Sequence, residues 1–241
     1  MVNEMLSFIL NGEKCIRCGK TCYGMPVCRD CRILLQEFAI RSDVERCSIC
    51  GRRLLSEFKI CTFCRKSHIL EICDDVMPIF TYRIWNKNLL FEWKMNGNRL
   101  LTDFFVRVVY EVLCREFSRL NIPLIVPVPP RKGKIRKLGW DQVEDICFHL
   151  HGKYGLKIFH ILERLDSGQQ KKNGRAERLS HSERFKVCTC FSQKNKYSVV
   201  PDEVLLIDDV ITTGATVAEC TRVLKRFGVR KVRVLSLFIV D

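Results

Sequence analysis

Short apolar runs separated by polar turns divide residues 73–241 into alternating strands and helices. Branched apolar residues predict buried strands at 77–82, at 204–207, at 229–240 and in a run from 124 that ends in prolines. Apolar residues at helical spacing predict helices at 89–101, 104–117 and 217–227. Strands alternating with helices are typical of a parallel α/β sheet. Such a sheet carries its ligand at the carboxyl ends of its strands.

Residues 1–72 are poorer in apolar residues and form a separate predicted unit, with the α/β domain at 73–241. Four C-x-x-C pairs lie there, with gaps of nine and then ten residues between successive pairs of each set. We interpret them as an internal repeat of two Cys₄ ribbons, each closing on one structural zinc ion. The eight predicted ligands are Cys15, Cys18, Cys28, Cys31, Cys47, Cys50, Cys61 and Cys64. Sequential pairing is favoured over interleaved pairing, but both remain open.

Three further features of the ribbon sequence predict structural details. Gly19 and Gly51 each follow a pair, as a tight knuckle turn requires. Cys22 lies inside the first ribbon and is a spare thiol that could compete as a ligand. Apolar residues between the ribbons predict a short helix that packs the two ribbons together: Ile33, Leu34, Phe38 and Ile40.

A polar, hydroxyl-rich loop follows the strand at 204–207. Asp208 and Asp209 stand where the strand leaves the sheet, and residues 212–216 precede a helix. The loop residues are Thr212, Thr213, Gly214, Ala215 and Thr216. A helix N-terminus offers backbone N–H groups to an anion, and the carboxylates accept from hydroxyls, so a ribose 5-phosphate matches both. No lysine follows the glycine as in an ATP-binding P-loop. The alternative is an ordinary loop with a capped turn.

A second loop follows the strand that begins at 124. Its residues are Pro127, Val128, Pro129, Pro130 and Arg131, and further cations follow at Lys132, Lys134, Arg136 and Lys137. Proline ends the strand, and clustered cations at a strand's carboxyl end suit a pyrophosphate. A solvated basic loop is the alternative.

The acidic pair with its threonine loop resembles the phosphoribosyl-pyrophosphate (PRPP) motif of type I phosphoribosyltransferases. Together with the cysteine pairs, the whole chain resembles the ComF family of competence proteins. This resemblance implies that Asp208 and Asp209 bind the ribose hydroxyls, that residues 212–216 surround the 5-phosphate, and that Mg²⁺ accompanies PRPP. Residues 127–131 would then bind pyrophosphate.

The same resemblance extends to residues 138–185, with departures. Leu138 and Asp141 replace the arginine and asparagine usual in the family, whereas Trp140 and Gln142 keep an aromatic residue and a glutamine. Gln170, Arg178 and Phe185 match the family spacing of a hood that closes over PRPP or contacts DNA, although composition alone predicts only a mobile basic loop. Lys94 also occupies a familiar place in the family, with a surface position as the alternative.

The charge and the cysteine content indicate which ligands and which cellular compartment suit this protein. The formal net charge is +14, of which residues 1–72 carry +4 and residues 73–241 carry +10. Eight thiolates that bind two zinc ions would bring residues 1–72 close to neutral and leave the basic excess on the α/β domain. Fifteen cysteines fit metal binding in a reducing, cytoplasmic compartment. The apolar run at 5–10 is too short for a signal peptide or a membrane span.

The resulting hypothesis is a ComF-type protein that binds PRPP with Mg²⁺ and handles imported single-stranded DNA during natural competence. The resemblance adds a competence helicase as a possible protein partner. Two alternatives remain open: an active phosphoribosyltransferase of nucleotide metabolism or salvage, and a nucleic-acid-binding regulator that uses its zinc ribbons.

Overall fold

A four-stranded parallel sheet forms the centre of the protein in a computed structural model, in which the strand order is β3-β8-β7-β4. The described residues are 12–40, 45–54, 59–82, 84–131, 133, 139–165, 184–188 and 200–240. The eight strands are β1 (Glu13–Lys14), β2 (Thr21–Cys22), β3 (Asp75–Thr81), β4 (Leu124–Pro127), β5 (Leu162–Arg164), β6 (Phe185–Val187), β7 (Glu203–Ile211) and β8 (Lys231–Ile239). The predicted parallel α/β fold is confirmed.

Six helices lie in the described part of the chain. They are α1 (Arg29–Ile40), α2 (Thr62–Lys66), α3 (Ile84–Lys94), α4 (Leu100–Glu116), α5 (Gln142–Tyr154) and α6 (Ala215–Arg226). None of these helices has the length and apolar character that a bilayer crossing requires. Helix α6 connects β7 to its parallel neighbour β8, so the loop at its N-terminus lies at the carboxyl edge of the sheet.

Two apolar clusters cover the two faces of the sheet. Side chains that alternate along β7 point to opposite faces, so Leu205 and Ile207 join one cluster and Leu206 joins the other. Helices α3, α4 and α5 fill the first cluster, where Trp93 and Phe105 pack with ring centroids 4.7 Å apart. Helix α6 contributes to the second cluster. The sheet is therefore buried between two layers.

The two cysteine-rich segments pack into different layers. Residues of the first segment, including Leu35 of α1, belong to the cluster of α4, whereas those of the second segment, including Leu70, belong to the cluster of α6. The side chain of Arg46 also joins the second segment to the sheet, because its Nη1 donates to the Pro78 carbonyl oxygen of β3 at 2.8 Å. We propose that the boundary between residues 72 and 73 separates two units, and side chains of both units contribute to the two apolar clusters.

Two predicted details are corrected. The helix expected at 89–101 is interrupted: α3 ends at Lys94, Gly97 adopts a φ of 67°, and α4 begins at Leu100. The helix expected between the ribbons is present as α1, but it packs on α4 and β3 instead of joining the ribbons. Accordingly, Ile33 and Leu34 are exposed, and Leu35 is the buried residue.

Candidate functional site

The acidic pair lies near the carboxyl end of β7 and lines a cavity of about 370 Å³. Asp208 is buried, and its Oδ1 accepts from the backbone N–H of Asp209 at 2.9 Å. The half-buried ammonium group of Lys94, at the end of α3, donates to Asp209 Oδ2 at 2.6 Å. A cation therefore stands beside the carboxylates, where it can meet the anionic part of a ligand.

The environment of Asp208 disfavours its charged form. Burial raises the pKa of this carboxyl to about 7, and the neighbouring Asp209 acts in the same direction. The Asp209 N–H and the Lys94 ammonium oppose this shift, while Asp141 adds a further negative charge. A ligand that supplies hydroxyl donors to Asp208 would replace some of the hydration that folding removed.

The loop of residues 212–216, called the phosphate loop below, turns from β7 into α6. Gly214 forms the N-cap of α6 and adopts a φ of 82°. The backbone of a residue with a side chain would be strained in this left-handed conformation. A Cβ atom at Gly214 would also lie 2.6 Å from Leu70 Cδ2. The hydroxyl of Thr213 accepts from the N–H of Ala215 at 3.4 Å. The N-terminal turn of α6 thus faces a small cavity lined by residues 210–217 and Asp208, a geometry suited to a phosphate group.

The second predicted loop lines the cavity of the acidic pair. Val128, Pro129, Pro130 and Arg131 follow β4, and the Val128 N–H donates to the Ile207 carbonyl oxygen at 2.9 Å. Pro127 is the last residue of β4 and pairs with Ile207 in the parallel register. The structure therefore brings the acidic pair and the second loop to one cavity, and the phosphate loop lines an adjoining cavity that shares Asp208, Val210 and Thr216 with it.

An arginine that the sequence analysis did not single out also lines this cavity. Arg164 ends β5, and its guanidinium lies 5.1 Å from the ring centroid of the buried Phe185 of β6. Burial lowers the pKa of Arg164, and the nearby charges of Arg131 and Arg184 lower it further. Arg184 is itself paired with Glu219 at 2.7 Å, so Arg131 and Arg164 are the two of these cations that line the cavity and would favour an anion beside them. We call Arg131, Arg164 and Arg184 the arginine cluster.

The N-terminus of α5 forms the remaining wall. Asp141 lines the cavity and caps α5, accepting from the N–H groups of Val143 at 3.0 Å and Glu144 at 3.2 Å. Asparagine and aspartate both cap helices well, so this departure from the family pattern preserves the cap and adds a charge. Gln142 is fully buried, and its Nε2 donates to the Lys94 carbonyl oxygen at 3.4 Å. Gln142 therefore supports the end of α3 instead of facing solvent.

Trp140 is half-buried between two neighbours. Its ring contacts Trp93 edge-on, with centroids 6.1 Å apart, and the Arg99 guanidinium lies 5.5 Å from the ring centroid. A stacked base would have to share this ring with Arg99. Six predicted contacts lie outside the described residues: Lys132, Lys134, Arg136, Lys137, Gln170 and Arg178.

The eight paired cysteines form two groups in sequential order, which resolves the pairing. Within each group the four sulfur atoms lie within 4.8 Å of one another. Cys18 and Cys28 Sγ are 3.7 Å apart in the first group, and Cys50 and Cys61 Sγ are 3.6 Å apart in the second. Zn–S bonds of about 2.3 Å in a tetrahedron place sulfurs roughly 3.8 Å apart, so both groups fit zinc. Cys22 lies in β2, outside these groups.

Backbone donors prepare one thiol of each group for ionisation. Burial alone would raise the pKa of Cys15, but backbone N–H groups, led by that of Cys28 at 3.3 Å, bring it down to about 6. The same arrangement at Cys47, where the Cys61 N–H donates at 3.3 Å, gives a pKa of about 7. The knuckle turns form as expected, because Gly19 and Gly51 have φ values of 73° and 69°. Thiolates are the form that binds zinc.

Two competence proteins are similar to the chain over nearly its whole length. Competence protein ComFC of Streptococcus pneumoniae (strain ATCC BAA-255 / R6) is 25% identical over 239 residues, covering 93% of this chain and 99% of that protein. Competence protein F of Haemophilus influenzae (strain ATCC 51907 / DSM 11121 / KW20 / Rd) is 23% identical over 233 residues, covering 93% and 96%. The resemblance to ComF-type competence proteins is confirmed. No family model matches the chain.

Long-range contacts account for the site residues that sequence reasoning missed or undervalued. Lys94 and Asp209 are 115 residues apart, and no local pattern joins them. Arg164 lies in a short strand next to the predicted hood. In the sequence it is one charged residue beside a short apolar run, which does not by itself indicate a ligand contact. Arg52 lies in the second ribbon and contacts the phosphate loop. Its position after Gly51 in the sequence does not indicate that contact.

Proposed function

We propose that this protein binds PRPP with Mg²⁺ at the carboxyl edge of its sheet and acts in natural competence on imported single-stranded DNA. The observation that carries the proposal is a pair of adjoining cavities that share Asp208, Val210 and Thr216: the acidic pair and the proline-rich loop line one, and the phosphate loop lines the other. A ribose 5-phosphate has hydroxyls for Asp208 and Asp209 and a phosphate for the N-terminus of α6.

The cations around the cavity support the pyrophosphate part of the ligand. Lys94, Arg131 and Arg164 line the larger cavity, so they offer charge-assisted donors to a diphosphate bound there. Carboxylate oxygens are also suitable ligands for Mg²⁺, which would enter with the diphosphate and reduce its repulsion from Asp208 and Asp209.

The competence role rests on the two relatives and on the basic surface. Both relatives carry competence in their names and align with 93% of this chain. Outside the ribbons the chain has an excess of about +10, and the arginine cluster places part of it beside the cavity. A single strand following these cations would reach the edge of the PRPP site.

Calorimetric titration of PRPP–Mg²⁺ into the whole protein tests the ligand. The double variant Asp208→Asn with Asp209→Asn removes two charged acceptors, and we expect each change to weaken binding by roughly 1–3 kcal/mol. Asp202→Asn is the control, because Asp202 is an exposed carboxylate paired with Arg230 just before β7. Unchanged affinity in the double variant would refute the assignment. Pyrophosphate released on incubation with candidate bases would reveal transfer chemistry.

A further inference from the structure

A buried arginine of the second ribbon connects one cysteine group to the phosphate loop. Arg52 is 6% exposed and follows the knuckle turn of Cys47 and Cys50. Its Nη1 donates to Cys50 Sγ at 3.6 Å, and its Nη2 donates to the Thr212 carbonyl oxygen at 3.3 Å. One guanidinium thus contacts both a zinc-ligand sulfur and the first residue of the loop.

The same guanidinium fixes the strand end beside the loop. Its Nε and Nη2 donate to the Val240 carbonyl oxygen at 2.9 and 2.7 Å. The N–H of Val240 in turn donates to the Ile211 carbonyl oxygen, at 2.9 Å, at the last residue of β7. The side chain of Phe63 covers the guanidinium at 4.4 Å from its ring centroid. These contacts leave the guanidinium a single orientation.

A second contact from the same segment acts on Gly214. Leu70 is 1% exposed, and its side chain occupies the space that a Cβ atom at Gly214 would need. The loop is thus held at its start by Arg52 and at its N-cap by Leu70. Both residues follow Cys47 and Cys50 in the second cysteine-rich segment. The first ribbon packs on the opposite face of the sheet.

We infer that Arg52 is a positioning residue through which the second zinc ribbon fixes the phosphate loop, so that the loop's anion affinity depends on that ribbon's cysteines. Four thiolates with Zn²⁺ carry a net charge of about −2, which stabilises a buried cation beside Cys50. Loss of the metal, with uptake of protons by the thiolates that it held, removes that negative charge and weakens the hold on the guanidinium. The affinity part of this inference rests on the proposed PRPP site, whereas the positioning part does not.

Arg52→Lys tests the inference, with the exposed neighbour Arg53→Lys as the matched control. Lysine keeps the charge but has one ammonium group, which cannot donate to Val240, Thr212 and Cys50 at once. We expect two zinc ions in both variants, faster amide exchange at 207–218 only in Arg52→Lys, and a PRPP dissociation constant raised about tenfold. A general loss of stability would instead accelerate exchange in β4 and α4 as well, and that result would overturn the inference.

The zinc dependence is tested by Cys61→Ser and Cys28→Ser, which remove the equivalent ligand from the second and first ribbons. Each variant should lose one zinc ion, and only Cys61→Ser should accelerate exchange at 207–218. Equal acceleration in both variants, or none in Cys61→Ser, would overturn the inference. Exchange is measured without ligand, so it decides this question even if wild-type protein binds no PRPP and the proposed function fails.

Discussion

Asp208 shows how one side chain can oppose stability at a ligand site. Its pKa in the folded protein is raised to about 7, whereas an unfolded chain releases this proton near pH 4. Between these values the folded protein holds a proton that the unfolded chain has lost. The contribution of Asp208 to stability therefore falls as the pH rises from about 4 to 7.

Replacing Asp208 by Asn should remove that penalty. The amide oxygen can still accept from the Asp209 N–H, so the local hydrogen bond survives. We expect the variant to be more stable than wild type at pH 8, by on the order of 1–3 kcal/mol, and by a smaller amount at pH 5. Urea unfolding at both pH values, without PRPP or Mg²⁺, measures the difference.

Asp209→Asn is the matched control for this measurement. Its carboxylate is paired with the Lys94 ammonium group at 2.6 Å, so its removal leaves a half-buried cation without its partner. That variant should gain less stability at pH 8 than Asp208→Asn, because it removes one negative charge beside Asp208 but leaves Lys94 without this partner. If Asp208→Asn proves less stable than wild type at pH 8, the hydrogen bonds of the charged carboxylate outweigh the cost of its burial.

At the scale of elements, local patterns predicted most of the fold and the loops of the site. The cysteine pairs, the acidic pair and the prolines after β4 each fall within a few residues, so spacing alone reveals them. The break between α3 and α4 was missed because apolar residues continue at helical spacing across Gly97. Pairs such as Arg52 and Thr212, 160 residues apart, come together only through tertiary packing, which periodicity does not encode.

The ribbons provide a prediction at this scale. Elemental analysis should find two zinc ions per chain, because each group of four sulfurs matches a closed tetrahedral site. Cys18→Ser should reduce the ratio to about one, since a structural site needs all four ligands. Cys22→Ser should keep two, because Cys22 lies in β2 outside the group. Loss of zinc from Cys22→Ser would show that Cys22 is a ligand.

At the scale of the whole molecule, part of the basic charge lies at the cavity, where Lys94, Arg131 and Arg164 line its wall. Arg131, Arg164 and Arg184 interact electrostatically near the carboxyl edge of the sheet, and Lys132, Lys134, Arg136 and Lys137 follow Arg131 in sequence. If single-stranded DNA lies along these cations, its affinity must fall steeply with salt, because each neutralised phosphate releases counterions. PRPP should compete, since both ligands use the same cations.

Reversal of Lys132, Lys134, Arg136 and Lys137 to Glu should abolish binding of a labelled single strand, with zinc content unchanged. Lys157→Glu, beside the amino end of β4, is the control for a change of charge at the opposite edge. Fluorescence anisotropy over a range of salt concentrations measures both. Retained binding in the fourfold variant would place the DNA elsewhere, with the zinc ribbons as the remaining candidate. Trp140→Ala tests the stacking contribution separately from charge. If a base stacks on this ring, the variant should bind the strand more weakly by roughly 1–3 kcal/mol.

The strand order has a consequence for synthesis on the ribosome. β8 is the last strand along the chain, yet it lies between β3 and β7, and β3 pairs with β8 in the sheet. Asp74, whose carboxylate accepts from the Val232 N–H, precedes it by 158 residues. At 5–20 residues per second, β3 would wait roughly eight to thirty seconds for its neighbour. During that interval the nascent chain would expose an unpaired strand edge, the kind of surface that aggregates unless it is protected.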